Sequence, residues 1–203
     1  MRIGVYGGSF NPVHNGHIHL AETAAEELSL DRVYLMPSRI SPHRSSAEYA
    51  SAGDRLEMLR LACRGSRYSG ILRVSDYELR AERVSYTIYT AQEFRRRFPE
   101  DELFLLIGSD MLLSFDRWYR YTEIMEIMTL AVISREDGDV SELEEKAAEL
   151  GQYGKIIVSK AAPVVISSTE LRKKIAKNEN CSCYLDENVV KYIVQKNLYH
   201  TQQ

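Results

Sequence analysis

The chain has 203 residues, of which 44% are hydrophobic and 27% charged, and its formal net charge is −3 at pH 7. That length suffices for a single domain, expected to run from 1 to 203, whose core needs no metal or disulfide. A mildly acidic chain is a poor non-specific partner for a nucleic acid polymer, and no apolar run approaches membrane-spanning length. Three cysteines, Cys63, Cys181 and Cys183, are too few and too odd in number for a disulfide framework. They suit a reducing compartment. A strand that begins at Arg2 leaves no room for a signal peptide, so the expected location is cytoplasmic.

In chain order, short apolar runs alternate with longer amphipathic stretches. Arg2 to Tyr6 predicts a strand, and Gly16 to Leu28 a helix with Leu20, Ala21, Ala24 and Leu28 on one face. Arg32 to Met36 predicts a second strand, followed by a loop with two prolines, Pro37 to Arg44. A helix over Gly53 to Cys63, a strand over Ile71 to Val74 and a helix over Tyr86 to Phe98 come next. Leu103 to Ile107 and Leu130 to Ile133 are almost purely apolar, as strands covered on both faces are. Val140 to Leu150 predicts a helix and Lys155 to Val158 a strand. Two late helices, from Ile166 through Ala176 and from Glu187 to Lys196, form a small C-terminal helical segment. The alternation predicts an α/β fold: a Rossmann-like parallel sheet with helices on both faces. Ligands of such sheets bind beyond the carboxyl ends of the strands.

Two stretches carry chemistry. The first is Gly7-Gly-Ser-Phe-Asn-Pro-Val-His14-Asn-Gly-His17, between the first strand and the first helix. Glycine lets the main chain approach a phosphate closely, and a helix N-terminus offers unpaired N–H groups. His14 and His17 add two imidazoles, each able to donate to phosphate oxygens. His17 shares the inward face with Leu20 and Ala21. A packing or capping role would explain either histidine alone; a zinc site completed by His43 is the competing functional reading. The second stretch is Ile166-Ser-Ser-Thr-Glu-Leu-Arg172, in which Ser167 and Glu170 fit a capping box. Arg172, Lys173 and Lys174 fall in the early turns of that helix, where cations are disfavoured by roughly 0.3–1 kcal/mol each unless they face an anion. Arg172, with a planar fork suited to phosphate, is the strongest of the three. Cys181-Ser-Cys183 has no second pair with metal-site spacing and reads as two incidental thiols.

Together these stretches resemble the signature pair of the HxGH nucleotidyltransferases. Within that superfamily the chain is similar to the bacterial nicotinate-nucleotide adenylyltransferases over nearly its whole length. Met36 to Arg44 resembles that family's proline-histidine loop, and Ser85-Tyr-Thr87 its serine-tyrosine-threonine helix start. Ile107-Gly-Ser-Asp110 and Leu112 to Tyr119 resemble its ribose- and pyridine-binding segments. Asn11 stands where many relatives have Asp, and Arg44 where many have Lys.

The resemblance implies adenylyl transfer from ATP to nicotinate mononucleotide by direct in-line displacement, with pyrophosphate released. His14, His17 and Arg172 would be catalytic. ATP would meet Gly7, Gly8, Ser9, Phe10, His14, His17, Gly108, Asp110, Ser167, Ser168, Thr169 and Arg172. Nicotinate mononucleotide would meet His43, Arg44, Ser85, Thr87, Trp118, Tyr119 and Arg135, with Trp118 stacked on the pyridine. The cofactor would be Mg²⁺ held mainly by the ATP phosphates, with no protein metal site. A phosphate nucleophile is already largely dianionic near neutrality, so no strong base is required. For Asp110, the N-cap of the following helix is an equal reading. Alternatives to the acceptor are nicotinamide mononucleotide and pantetheine phosphate, although the adenylyltransferase for the latter usually has Thr where His14 stands. A non-catalytic nucleotide-binding protein is the rival from another class. The chain is expected to contact no membrane; a homo-oligomer is compatible with the family.

Overall fold

The computed structural model describes residues 1–39, 50–81, 84–133, 140–159, 161 and 166–200. Six parallel strands form one sheet: β1 (Arg2–Gly8), β2 (Arg32–Pro37), β3 (Leu72–Val74), β4 (Glu102–Gly108), β5 (Thr129–Ile133) and β6 (Ile156–Val158). Their order is β3-β2-β1-β4-β5-β6. The order reverses direction between β1 and β4. That switch point is where a doubly wound sheet opens a crevice for a ligand.

The helices are α1 (Asn15–Glu27), α2 (Ala52–Gly65), α3 (Tyr77–Arg80), α4 (Thr87–Arg97), α5 (Ser109–Leu112), α6 (Tyr121–Ile127), α7 (Val140–Leu150), α8 (Ser168–Ala176) and α9 (Glu187–Gln195). Strand alternation sorts them onto two faces. Phe104, Leu106, Ala131 and Ile133 join one core with Leu20, Met58, Leu171 and Val189, from α1, α2, α8 and α9. Leu103, Leu105, Ile107, Leu130 and Val132 join the other with Ile88, Leu112, Ile124 and Leu143, from α4, α5, α6 and α7. All of these side chains are buried. Truncating one such leucine to alanine typically costs about 2–5 kcal/mol.

Each longer element expected from periodicity is present, with ends moved by one or two residues. β1 runs on to Gly8, past Tyr6. The short helices α3 and α6 and a 3-10 turn at Phe115–Arg117 were not foreseen, and α5 only as a helix that Asp110 would cap. They are too short to carry a helical repeat. The helix after Ile166 begins at Ser168 and has 9 residues. Lys173 and Lys174 therefore lie in its last turn, where cations complement the dipole. The conflict inferred from the sequence does not arise for these two, and Lys174 pairs with Glu179 at 3.1 Å.

Candidate active site

The last paired residues of β1 and β4 are Val5 and Leu105, and both strands continue beyond them, to Gly8 and Gly108. The loop from Gly8 to α1 starts at this opening. Its backbone is tightly folded: Phe10 is fully buried with φ at 46°, and the Asn11–Pro12 peptide is cis. A bulky residue in the left-handed region is uncommon and persists where its surroundings fix it. Phe10 packs edge-on against Tyr6 and against the His17 ring, with centroids 5.4 Å and 5.0 Å away.

His14 and His17 come together at the head of α1. Their rings stack with centroids 3.6 Å apart, and both are buried. The His14 backbone N–H donates to His17 Nδ1 at 3.2 Å. An accepting Nδ1 leaves the neutral ring's proton on Nε2, so His17 is set as an Nε2–H donor. Stacking turns the faces of the rings together, which does not suit two nitrogens converging on one metal. Gly16 is required here. A Cβ on it would meet Ile166 Cγ2 at 2.6 Å and the His14 ring at 3.2 Å. Hence the second stretch, from far along the chain, packs directly on the first.

α8 extends that packing. Ser167 caps the helix by accepting from the Thr169 N–H at 3.2 Å, one residue earlier than a capping box places the bond. Ser168 Oγ donates to the Pro12 carbonyl at 3.0 Å. Arg172 donates to the Asn11 carbonyl at 2.9 Å and to Thr169 Oγ1 at 3.4 Å. The guanidinium is thus tied to the loop that carries the histidines.

Asn11, wholly buried, is the centre of this half. Its carboxamide oxygen accepts from Tyr199 Oη at 2.8 Å and from the Ala50 N–H at 3.0 Å. Arg55, 3% exposed, donates to the carbonyls of Ser9 at 2.8 Å and Ala50 at 3.3 Å. Neither Arg55 nor Tyr199 was singled out in the sequence. An arginine on an amphipathic helix and a tyrosine near the chain end give no local sign of burial.

The second half of the site lies at the start of α4. Thr87 opens that helix, with Tyr86 as its cap residue. Tyr86 meets Tyr119 at 4.9 Å between centroids, which joins the Ser85–Thr87 segment to the one that holds Trp118. Trp118 is half-buried and packs on Phe115 at 4.9 Å. Ser85 Oγ accepts from the Arg39 N–H at 3.2 Å. Beneath this segment lies Glu78, which the sequence reading missed. It is buried, takes a hydrogen bond from Thr90 Oγ1 at 2.8 Å and another from Ser85, and reaches within 4.0 Å of where a Gly7 Cβ would stand. Burial raises its carboxyl above the ordinary 4.5, and the two hydroxyl bonds offset this only in part.

Gly108 ends β4 and is the cap residue of α5; Asp110 lies exposed in that helix's first turn, so the N-cap reading for Asp110 does not hold. His43, Arg44 and Arg135 lie outside the described residues. Among the described residues no group of three or more His, Cys, Asp or Glu side chains is placed to hold a metal ion, and no helix is long and apolar enough to cross a membrane. Cys63, Cys181 and Cys183 are free thiols. Burial pushes the Cys63 thiol up to about 12. The loop of Cys181 and Cys183 has a structural use: the carbonyls of Cys183 and Tyr184 accept from Asn15 at 3.2 Å and 2.9 Å.

Residues 5–174 match the cytidylyltransferase-like family model. A probable nicotinate-nucleotide adenylyltransferase of Rhodopirellula baltica is 38% identical over 98% of this chain and 94% of its own length. Its counterpart in Idiomarina loihiensis is 34% identical over 96% and 98%. The chain belongs to the nicotinate-nucleotide adenylyltransferase family, within the cytidylyltransferase-like group. For a family member of this size the fold is matched throughout. The Plasmodium falciparum nicotinic acid mononucleotide adenylyltransferase complexed with NaAD superposes with a TM-score of 0.82, at 18% identity, covering 98% of this chain and 97% of that one. A Vibrio parahaemolyticus structure described as a putative nicotinate-nucleotide adenylyltransferase gives 0.68 at 20% identity, covering 100% and 98%.

Proposed function

We propose that this protein transfers the adenylyl group of ATP to nicotinate mononucleotide and releases pyrophosphate, a step of NAD biosynthesis. The observation that carries the reading is the stacked His14–His17 pair at the switch point, with Arg172 fastened to the same loop through Asn11.

The chemistry asks for little besides position and charge. The acceptor's phosphate has a second pKa near 6 and is largely dianionic at neutral pH. One of its oxygens forms a bond to the α-phosphorus as the bond to the pyrophosphate oxygen breaks. Negative charge then grows on the leaving group, where oriented donors stabilise it. His17 Nε2–H, the His14 ring and the Arg172 guanidinium are those donors, and the loop holds them before substrate arrives. Gly7 and Gly8 at the end of β1, with Ser9 and Phe10, let the triphosphate approach the backbone; Ser167, Ser168 and Thr169 bring a second helix N-terminus toward it. Gly108 and Asp110 flank the adenosine, with Asp110 accepting from ribose hydroxyls. Magnesium fits this site as a companion of the triphosphate. Phosphate oxygens and water would hold it, and it would add positive charge at the leaving group.

The acceptor's ring lies on the other half. Trp118 stacks on the pyridine, and the first-turn N–H groups of α4 beside Thr87, with Tyr119, receive its carboxylate. A helix N-terminus favours an anion over a neutral amide. The acid is therefore preferred to nicotinamide mononucleotide. Measuring pyrophosphate release from ATP with each mononucleotide tests this. A higher kcat/KM with the nicotinate form is expected; equal rates, or preference for the amide, would overturn the substrate assignment.

A further inference from the structure

After the catalytic groups are assigned, the C-terminal segment still has no role. α9 ends at Gln195, and the chain then turns twice through the left-handed region, at Asn197 (φ 50°) and Tyr199 (φ 65°). Leu198 N–H closes back onto the Ile193 carbonyl at 3.0 Å. The turns carry the Tyr199 side chain inward, and its hydroxyl donates to Asn11 Oδ1. Such a backbone on an aromatic residue is costly unless the contacts it enables hold it.

The contact falls at a junction. Asn11 accepts Tyr199 and the Ala50 N–H on its side chain, and Arg172 on its carbonyl. Arg55 fixes the carbonyl of Ser9 on the other side. The Tyr199 phenol sits within the fields of both Arg55 and Arg172, and burial makes it hard to ionise. It therefore serves as a neutral donor at all ordinary pH. With the hydroxyl in place, the carboxamide is fixed from two directions, and so is the peptide whose carbonyl orients Arg172. The same arrangement accounts for the asparagine. Position 11 supplies an oxygen acceptor to two donors, a task that needs no charge.

We propose that Tyr199 is a positioning residue of the phosphate site: by holding Asn11 it sets the loop against which Arg172 is aimed at the nucleotide. The proposal rests on the reading of this loop as an ATP site. It assigns the end of the chain to nucleotide affinity.

Tyr199→Phe keeps the ring and removes the one bond. Tyr192→Phe, on α9 just before those turns, is the matched control. It deletes a hydroxyl bond to Asp54, 2.9 Å long, on α2, and touches no part of the loop. In the full chain, ATP affinity by calorimetry with MgATP, KM for each substrate and the melting temperature are compared. Tyr199→Phe is expected to weaken ATP binding and raise KM for ATP by about threefold to tenfold, the range of one net hydrogen bond. KM for nicotinate mononucleotide should stay within about twofold, since one lost bond in the phosphate loop leaves the other half in place. Tyr192→Phe should lower the melting temperature and leave ATP affinity as it was. In a double-variant cycle, Tyr199→Phe should add nothing to Asn11→Ala. Unchanged ATP affinity in Tyr199→Phe, equal loss in Tyr192→Phe, or multiplying effects in the cycle would each overturn the proposal. A wild type that binds ATP yet makes no product with nicotinate mononucleotide would overturn the substrate assignment alone, and the calorimetry would still decide the role of Tyr199.

Discussion

On the proposed phosphate side, the loop that leads to the histidines is tied to distant parts of the chain. Asn11 is held by Tyr199 and Ala50, Ser9 by Arg55, Pro12 by Ser168, and Arg172 by Asn11 itself. On the pyridine side, Tyr86 and Tyr119 lean on each other and are 37% and 49% exposed, and Trp118 is backed by Phe115. One half is an assembly of part-buried hydrogen bonds, the other a set of aromatic faces open to solvent. The difference matches the two tasks. Charge developing in a transition state is stabilised best by donors already in place, because reorganising them would cost what they contribute. A flat ring is recognised by surface contact, which tolerates some movement.

Four substitutions test that division. His17→Ala deletes a preorganised donor and should lower kcat by about a hundredfold to a thousandfold with the fold retained, as circular dichroism and kinetics together would establish. An active His17→Ala enzyme would remove the catalytic assignment. Arg172→Ala should come next. It removes a guanidinium from the leaving group and also leaves the Asn11 carbonyl without that bond, so both kcat and ATP affinity should fall, kcat by roughly tenfold to a hundredfold. Trp118→Ala should act on the other half only, raising KM for nicotinate mononucleotide by about tenfold, as loss of stacking does, with KM for ATP little changed. If Trp118→Ala instead disturbed ATP, the two halves would not be separable.

The smallest effect is expected at Glu78. Its carboxyl binds a proton more tightly in the folded protein than at the ordinary 4.5, because burial penalises the charge. Between 4.5 and that raised value the folded state holds more protons than the unfolded state, so stability falls as pH rises through the window. Glu78→Gln should remove this part of the decline and leave the melting temperature flatter above pH 4.5. Melting curves recorded across acid and neutral pH would check it; an unchanged slope would mean that Glu78 does not titrate as its burial requires.

The sequence made the two signature stretches plain because each is local. A glycine pair, a histidine pair and a serine-capped helix are written in consecutive residues, and long apolar runs mark β4 and β5. What it did not disclose depends on contacts across the chain. Gly16 reads as no more than the start of a helix until Ile166 is seen against it. The burial of Arg55 follows from carbonyls that only the fold turns toward it. Glu78 lies on a helix of 4 residues, too short for any pattern to distinguish inside from outside. Lys173 and Lys174 were misplaced for a local reason: α8 stops at Ala176 as expected but starts at Ser168 rather than Ile166, and in a helix of 9 residues both lysines fall in the last turn.

In the proposed reaction the hydrogen-bonded half positions two phosphates for direct displacement and contributes no covalent nucleophile. Stereochemistry at phosphorus tests it most directly. ATP carrying sulfur in place of one α-oxygen, as a single diastereomer, would be converted with nicotinate mononucleotide and the configuration of the product determined. One in-line displacement predicts inversion at the α-phosphorus. Retention would mean two displacements through an enzyme-bound intermediate, and would contradict the account.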